Sequence, residues 1–527
     1  MKRISLAALA AVAALFTIVP ALRAQALSAG AAAPQSLEDR RKALNDLFHE
    51  YWEDYLKHNP EFASEIGDKR YNDQTSDYSV RAVNDTLARE QNYLIRLAAI
   101  DSTGFTDQEK TSQELLIRRF ETDEEASEFK TWEMPVNQMD GIYADYPQLV
   151  AELSFATVKD YDDWIARLHA LPKAFEQVTD NMEIGIADHR VPPKYLLVKT
   201  LDQVKELANQ KPEDSPLALP LKKFPASIPA AEQERIKTEM LAIAQKLGFK
   251  DLASFRASLK TNPKLHPTSA QQLLDAYQGY LKPMEAKLPE LFGHLPKAPF
   301  EVVPVPDYLG KTSAPAYYEA GTPDGSRPGR LFIDTYDFED RNLYSVEDIA
   351  YHEGIPGHHL QISMAQEIPG LPEFRRYGHY TAYTEGWGLY AERLGKDVGF
   401  YQDPYSDYGR LEGDIWRAIR LVVDTGVHSE GWTRQQMVDY FHEHSNVDEP
   451  SIQSEVDRYI AWPSQALAYK IGQLKILELR ARAQKALGDK FDIRAFHDQV
   501  IDSGALPLDV LEQRIDGWIA SQKGSAQ

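Results

Sequence analysis

Residues 351 to 361 read Tyr351-His352-Glu353-Gly354-Ile355-Pro356-Gly357-His358-His359-Leu360-Gln361. In the pattern H-E-x-x-H, two histidines four residues apart stand one turn apart on a helix, so both imidazoles reach one Zn²⁺ while the intervening Glu activates a water. Here the fourth position after His352 is Pro356 instead. On a regular helix His358 would sit about 240° round and about 9 Å along from His352, and His359 nearly on the right face but about 10 Å away. Neither could share a metal with His352. Pro356, however, cannot donate to the carbonyl of residue 352, and Gly357 accepts unusual torsions. An irregular segment is therefore predicted at Pro356-Gly357. With those two residues looped out the remainder reads H-E-G-I-H, with His358 as the second ligand and His359 as the alternative. The histidine left over is expected to face substrate or to orient a ligand.

Working outward, Tyr383-Thr384-Glu385-Gly386-Trp387-Gly388-Leu389-Tyr390-Ala391-Glu392 reads as a second helix that offers a carboxylate. HE followed by His, then Glu-Gly-aromatic-small, resembles the gluzincin zinc metallopeptidases (peptidase clan MA), in which a second-helix Glu is the third ligand; the resemblance assigns that role to Glu385. HEGIPGHHLQ, TEGWGLYAE and the later WPSQALAYKIG are together similar to the bacterial DUF885 family, grouped with the gluzincins, over most of the chain. What this resemblance implies is a mainly α, large helical metallopeptidase fold with Zn²⁺ as cofactor. Glu392, two turns beyond Glu385, is the main rival for the metal, but is better suited to fixing a ligand histidine or to facing solvent.

The chemistry expected of His352, His358 and Glu385 around Zn²⁺ is hydrolysis by an acidified water, with Glu353 as general base that returns the proton to the leaving amine. A tetrahedral oxyanion needs a further donor, for which Tyr469 in QALAYKIG is the candidate. Arg417, Arg420 and Asp424 recur at helical spacing in RAIRLVVDTGVH. Arg420 and Asp424, four apart, suit an internal ion pair, while an arginine in the cleft would bind a peptide carboxylate, so Arg420 joins His359 as a substrate-binding candidate. His379, His428 and Lys470 are weaker candidates. Short peptides are the expected substrates. The rival readings are a catalytically inactive metal- or peptide-binding helical protein, which has no need of Glu353, and a zinc hydrolase of non-peptide amides or esters.

Composition narrows the classes further. A net charge of −22 speaks against nucleic acid or anionic lipid as partners, since both need a basic surface. The absence of cysteine excludes thiolate ligands, a cysteine nucleophile, disulfides and lipidation on cysteine. Residues 1–26 read as a signal peptide: Lys2 and Arg3, an apolar run from Ile4 to Val19, then Ala24-Gln25-Ala26. That run is too short to span a bilayer, so a periplasmic or secreted protein without a membrane span after cleavage is expected.

Beyond a linker at 27–35, amphipathic helices are predicted from Ser36 as an N-cap, with Leu44, Leu47, Phe48, Tyr51 and Tyr55 on one face and a stop at Asn59-Pro60. Further helical runs cover Leu87 to Ala99, Tyr161 to Ile186 and Ala270 to Leu281. Five prolines between Lys211 and Pro229 mark a surface loop. Alternating aromatics and a Pro/Gly turn between Ala316 and Tyr336 predict a β-hairpin beside the metal-binding helix. The organisation expected is a helical part over 36–300 and a metal-site catalytic part over 301–527, forming one continuous fold.

Overall fold

A computed structural model describes residues 35–153, 158–209, 262–305, 316–322, 327–335, 338, 341–445, 447 and 449–524. The expected signal peptide, nearly all of the expected linker and the proline-rich segment after Lys211 lie outside these residues.

The described chain is mainly helical. Its first helix, Leu37–His58, begins at a reciprocal cap in which the Ser36 side chain accepts from Asp39 N and the Asp39 carboxylate accepts from Ser36 N. Leu44, Leu47, Phe48 and Tyr51 bury their side chains against Tyr93 and Leu97 of Val80–Ala98 and Leu116 and Phe120 of Asp107–Ser127. The helix stops at Asn59, and Pro60 opens the next one, where its missing N–H costs nothing. Val158–Ala187 spans the run expected from Tyr161. Ala270–Leu291 runs ten residues past Leu281, through Pro283 and Pro289. Buried Met284, Leu288 and Leu291 hold that extension to the core against the proline penalty.

The expected hairpin is present as β2 (Ala316–Glu319) antiparallel to β3 (Gly329–Ile333), with Tyr317 opposite Phe332 and Tyr318 opposite Leu331. A third strand, β1 (Phe300–Pro304), pairs parallel with the other edge of β3. The sheet order is therefore β1-β3-β2.

One large core joins Leu273 to Leu291, Leu331 and Ile333 of β3, Tyr351, Leu360, Trp387, Ile476 and the C-terminal Leu511 and Ile519. The helix before residue 300 is thus part of the body that carries the histidines. Within it, Thr381–Asp397 crosses Ala468–Leu487 at Gly386 and Gly472, where added Cβ atoms would fall 2.4 Å and 2.7 Å from the facing Cα. Among the described residues no helix is long and apolar enough to cross a membrane.

Candidate metal centre

The helix Val346–Glu353 carries His352 on its last turn and ends at Gly354. Ile355, cis-linked to Pro356, and Gly357 then lead into a new helix, His358–Glu367. The break over Gly354 to Gly357 is the irregularity predicted at Pro356-Gly357, two residues longer at its start. At Gly357 a Cβ would fall 1.8 Å from the His352 carbonyl oxygen, so only glycine lets the chain fold back so tightly.

Refolding at this point brings the two rings together. His352 and His358 have centroids 4.7 Å apart and nearly perpendicular planes. Each Nε2 lies 3.5 Å from Oε2 of Glu385, which comes from the first turns of Thr381–Asp397. Donor atoms of His352, Glu353 and His358 also lie within 4.8 Å of one another. The two imidazoles are almost wholly buried, while Glu353 and Glu385 keep partial exposure, so the open side of the cluster is the carboxylate side.

These residues fit a zinc ion. Tetrahedral ligands at Zn–N and Zn–O distances near 2.1 Å are themselves about 3.4 Å apart, close to the two 3.5 Å separations found here. The charges agree. Burial pushes the His352 imidazole pKa down, yet its bonds to Glu385 and Glu392 and the charge of Glu353 outweigh burial and raise it to about 10. Burial would raise Glu385, but its bonds to His352 and His358 hold it well below the usual carboxylate range. The cluster demands positive charge, which one divalent cation between these donors would supply.

Behind the cluster, Glu392 Oε1 accepts from Nδ1 of His352 at 2.8 Å, and Arg417 Nη2 lies 3.3 Å from the same oxygen. Glu392 is thus turned to the back of the imidazole, away from the Nε2 side. Gly388, on the Glu385 helix, makes room for the ring: a Cβ there would stand 2.7 Å from His352 Nε2. Asp348, one turn before His352, is buried beside Glu392, and burial and the Glu392 charge push its carboxyl well up.

Two substrate-binding candidates lie elsewhere. His359 points to the sheet, stacked on Phe300 at 4.5 Å, with Nδ1 3.0 Å from the Tyr318 hydroxyl and 3.3 Å from Ser363 Oγ. Burial lowers its pKa to about 4, so it is a neutral link between β2 and the second histidine helix and stands apart from the donor group. Arg420 is wholly buried and cannot meet a peptide carboxylate directly. Its ion pair is with Glu455 at 3.1 Å, not with Asp424, whose carboxylate accepts from Ser464 N. The register of the helix put Arg420 and Asp424 together, whereas packing of Glu449–Ala461 across it offers Arg420 the better-placed carboxylate.

Tyr469 does lie beside the cluster, its ring stacked on His352 with centroids 6.4 Å apart. Burial and the charge of Glu385 raise its pKa. Arg420 sits 4.4 Å over its ring and Arg458 Nη2 reaches its hydroxyl at 3.4 Å. His379 is within electrostatic reach of Glu385 and His358. His428 binds the Tyr459 carbonyl and Lys470 the buried Asp414, both away from the cluster. Asp348 and Arg458 escaped the sequence reading: Asp348 had a signal, four residues before His352, but Arg458 reaches Tyr469 from a separate helix and leaves no local pattern.

A family model described as a bacterial protein of unknown function (DUF885) matches residues 60–234 and 226–515, and the chain belongs to that family. Its fold is similar to that of a Colwellia psychrerythraea protein described as a lipoprotein, with a TM-score of 0.84, 25% identity and 92% of this chain and 99% of the other covered. A Shewanella oneidensis protein described as a lipoprotein of unknown function matches with a TM-score of 0.66 and 16% identity over 91% and 99% of the two chains. No functionally curated protein sequence matches the chain.

Proposed function

We propose that this member of the DUF885 family is an exported, gluzincin-like zinc metallopeptidase that hydrolyses short peptides. The observation that carries the reading is the equal 3.5 Å approach of His352 Nε2 and His358 Nε2 to Glu385 Oε2, with Glu353 at the same cluster. Zinc held by His352, His358 and Glu385 would polarise a carbonyl and acidify a water. Glu353, partly exposed at the open side, takes the proton of the attacking water and delivers it to the departing amine nitrogen. Glu392 holds the His352 Nδ1 proton and so keeps Nε2 free as a lone-pair donor. Tyr469 donates to the oxygen that gains negative charge. His359 is reassigned from substrate contact to support of the sheet.

Export rests on the amino-terminal pattern of Lys2, Arg3, the apolar run and Ala24-Gln25-Ala26, and agrees with the description of both structural relatives as lipoproteins. With no cysteine in its sequence, this chain has no thiol to acylate.

Metal analysis of the purified protein, followed by a library of free, N-blocked and C-blocked short peptides, tests the reading. About one zinc per chain and cleavage of peptides are expected, with Glu353→Gln retaining metal and losing hydrolysis. Unchanged hydrolysis in Glu353→Gln would sink the mechanism, and a metal-free, inert wild-type protein would sink the function.

A further inference from the structure

The wall behind Tyr469 contains more positive charge than its packing explains. Arg420 and Arg458, both almost wholly buried, share the carboxylate of Glu455: Arg420 Nη2 at 3.1 Å, and Arg458 Nη1 at 3.1 Å and 3.4 Å from its two oxygens. Tyr459 donates to the same carboxylate at 2.7 Å. Arg420 Nη1 and Arg458 Nε are buried and have no hydrogen-bond partner. Two guanidinium groups taken out of water against one carboxylate are costly, and apolar residues of similar volume would fill that space without the penalty. Both cations converge on one neutral group. Arg420 lies over the Tyr469 ring with its guanidinium carbon 4.4 Å from the centroid, and Arg458 Nη2 donates to the Tyr469 oxygen at 3.4 Å while also donating to Gln465 Oε1 at 2.8 Å.

The direction of the Arg458 bond is informative. An arginine has no acceptor, so the phenol oxygen must accept from it through a lone pair, and the phenol proton is left to point elsewhere. His352 is also stacked on the Tyr469 ring, with centroids 6.4 Å apart, and the Glu385 charge acts on the phenol. We infer that Arg458, seconded by Arg420, is a positioning residue that fixes the Tyr469 hydroxyl as a hydrogen-bond donor to an anionic oxygen formed at the His352–His358–Glu385 centre. The inference rests on the hydrolase reading of that centre. It also gives Arg420 a role that its burial permits, acting through Tyr469 rather than on substrate. Because Tyr469 is only 3% exposed, its hydroxyl serves a small oxygen atom pressed against the wall and not a bulky side chain.

The test is a double-mutant cycle in the zinc-loaded protein on a peptide that the wild type cleaves. Tyr469→Phe is expected to lower kcat about 100-fold, as loss of one oxyanion donor does, and Arg458→Gln about 10- to 100-fold, as loss of a supporting partner does. KM and zinc content should stay within about twofold of wild type in each variant, and the double variant should be no slower than Tyr469→Phe alone. Multiplicative losses, or an Arg458→Gln protein with wild-type kcat, would overturn the inference. Incorporated 3-fluorotyrosine gives a second measurement that needs no turnover. The ¹⁹F resonance that disappears in Tyr469→Phe should shift in Arg458→Gln and move back towards its wild-type position in Arg458→Lys, which also serves if the glutamine variant does not fold. If the wild type cleaves no peptide, the hydrolase reading fails on its own, and an unmoved resonance in the Arg458 variants overturns the positioning role independently.

Discussion

Glu392 Oε1 and His352 Nδ1 are joined by a buried 2.8 Å hydrogen bond. The bond sets the imidazole tautomer: with the proton on Nδ1, the Nε2 lone pair is aimed at the side where His358 and Glu385 converge. Replacing Glu392 by Gln keeps an acceptor oxygen but removes the carboxylate charge that lies 3.3 Å from Arg417. The expected result is a loss of metal affinity of about 10- to 100-fold, measured by competition with a chelator of known affinity. An unchanged affinity would mean that the bond only packs.

Gly388 offers a test of the same ring by size alone. An alanine there would bring a methyl carbon 2.7 Å from His352 Nε2 and 2.8 Å from Cε1. Overpacking of this kind costs about 1–3 kcal/mol, and here the ring that must yield is a proposed ligand. Gly388→Ala should therefore retain helical circular dichroism and show both a lowered Tm and a zinc content well below one per chain. Full zinc loading would show that the ring moves without disturbing the site.

The reverse sign is expected at Gly279, which lies mid-helix in Ala270–Leu291, is exposed, and has nothing within 4 Å of an added Cβ. Gly279→Ala should stabilise the fold by about 0.5–1 kcal/mol, read from urea unfolding with unchanged m-value. A neutral or destabilising result would mean that this helix is not held as a regular helix at that turn.

How much of this was legible beforehand depended on whether the information was local. The Ser36 cap, the stop at Asn59-Pro60 and the hairpin partners β2 and β3 are written in a few adjacent residues, and each was readable. The break at Gly354 to Gly357 was readable from Pro356 and Gly357 because their backbone restrictions act in place. His358 and His359 were harder to separate, since adjacent residues on a new helix point about 100° apart and the phase of that helix is set by where it restarts. Long-range pairings left no trace: the parallel strand Phe300–Pro304, the Arg420–Glu455 pair that displaced the expected Arg420–Asp424 pair, and Arg458 under Tyr469 all join segments whose spacing along the chain carries no register.

A pH dependence is expected far from the metal centre, at Glu90 in the helix Val80–Ala98. Burial and the nearby charge of Asp123 raise its carboxyl pKa to about 7, against the opposing effect of Arg119 and Arg89. The folded protein therefore holds this proton more tightly than the unfolded chain, whose carboxyl titrates near 4.5. Stability contributed by the protonated form is fully present below about 4.5 and is lost as pH rises through about 7. Glutamine mimics the protonated group at every pH. Glu90→Gln should accordingly raise Tm at pH 8 and leave it close to wild type at pH 4. The two thermal melts decide the matter: an equal Tm difference at both pH values would show that Glu90 ionises in the fold as freely as it does in water.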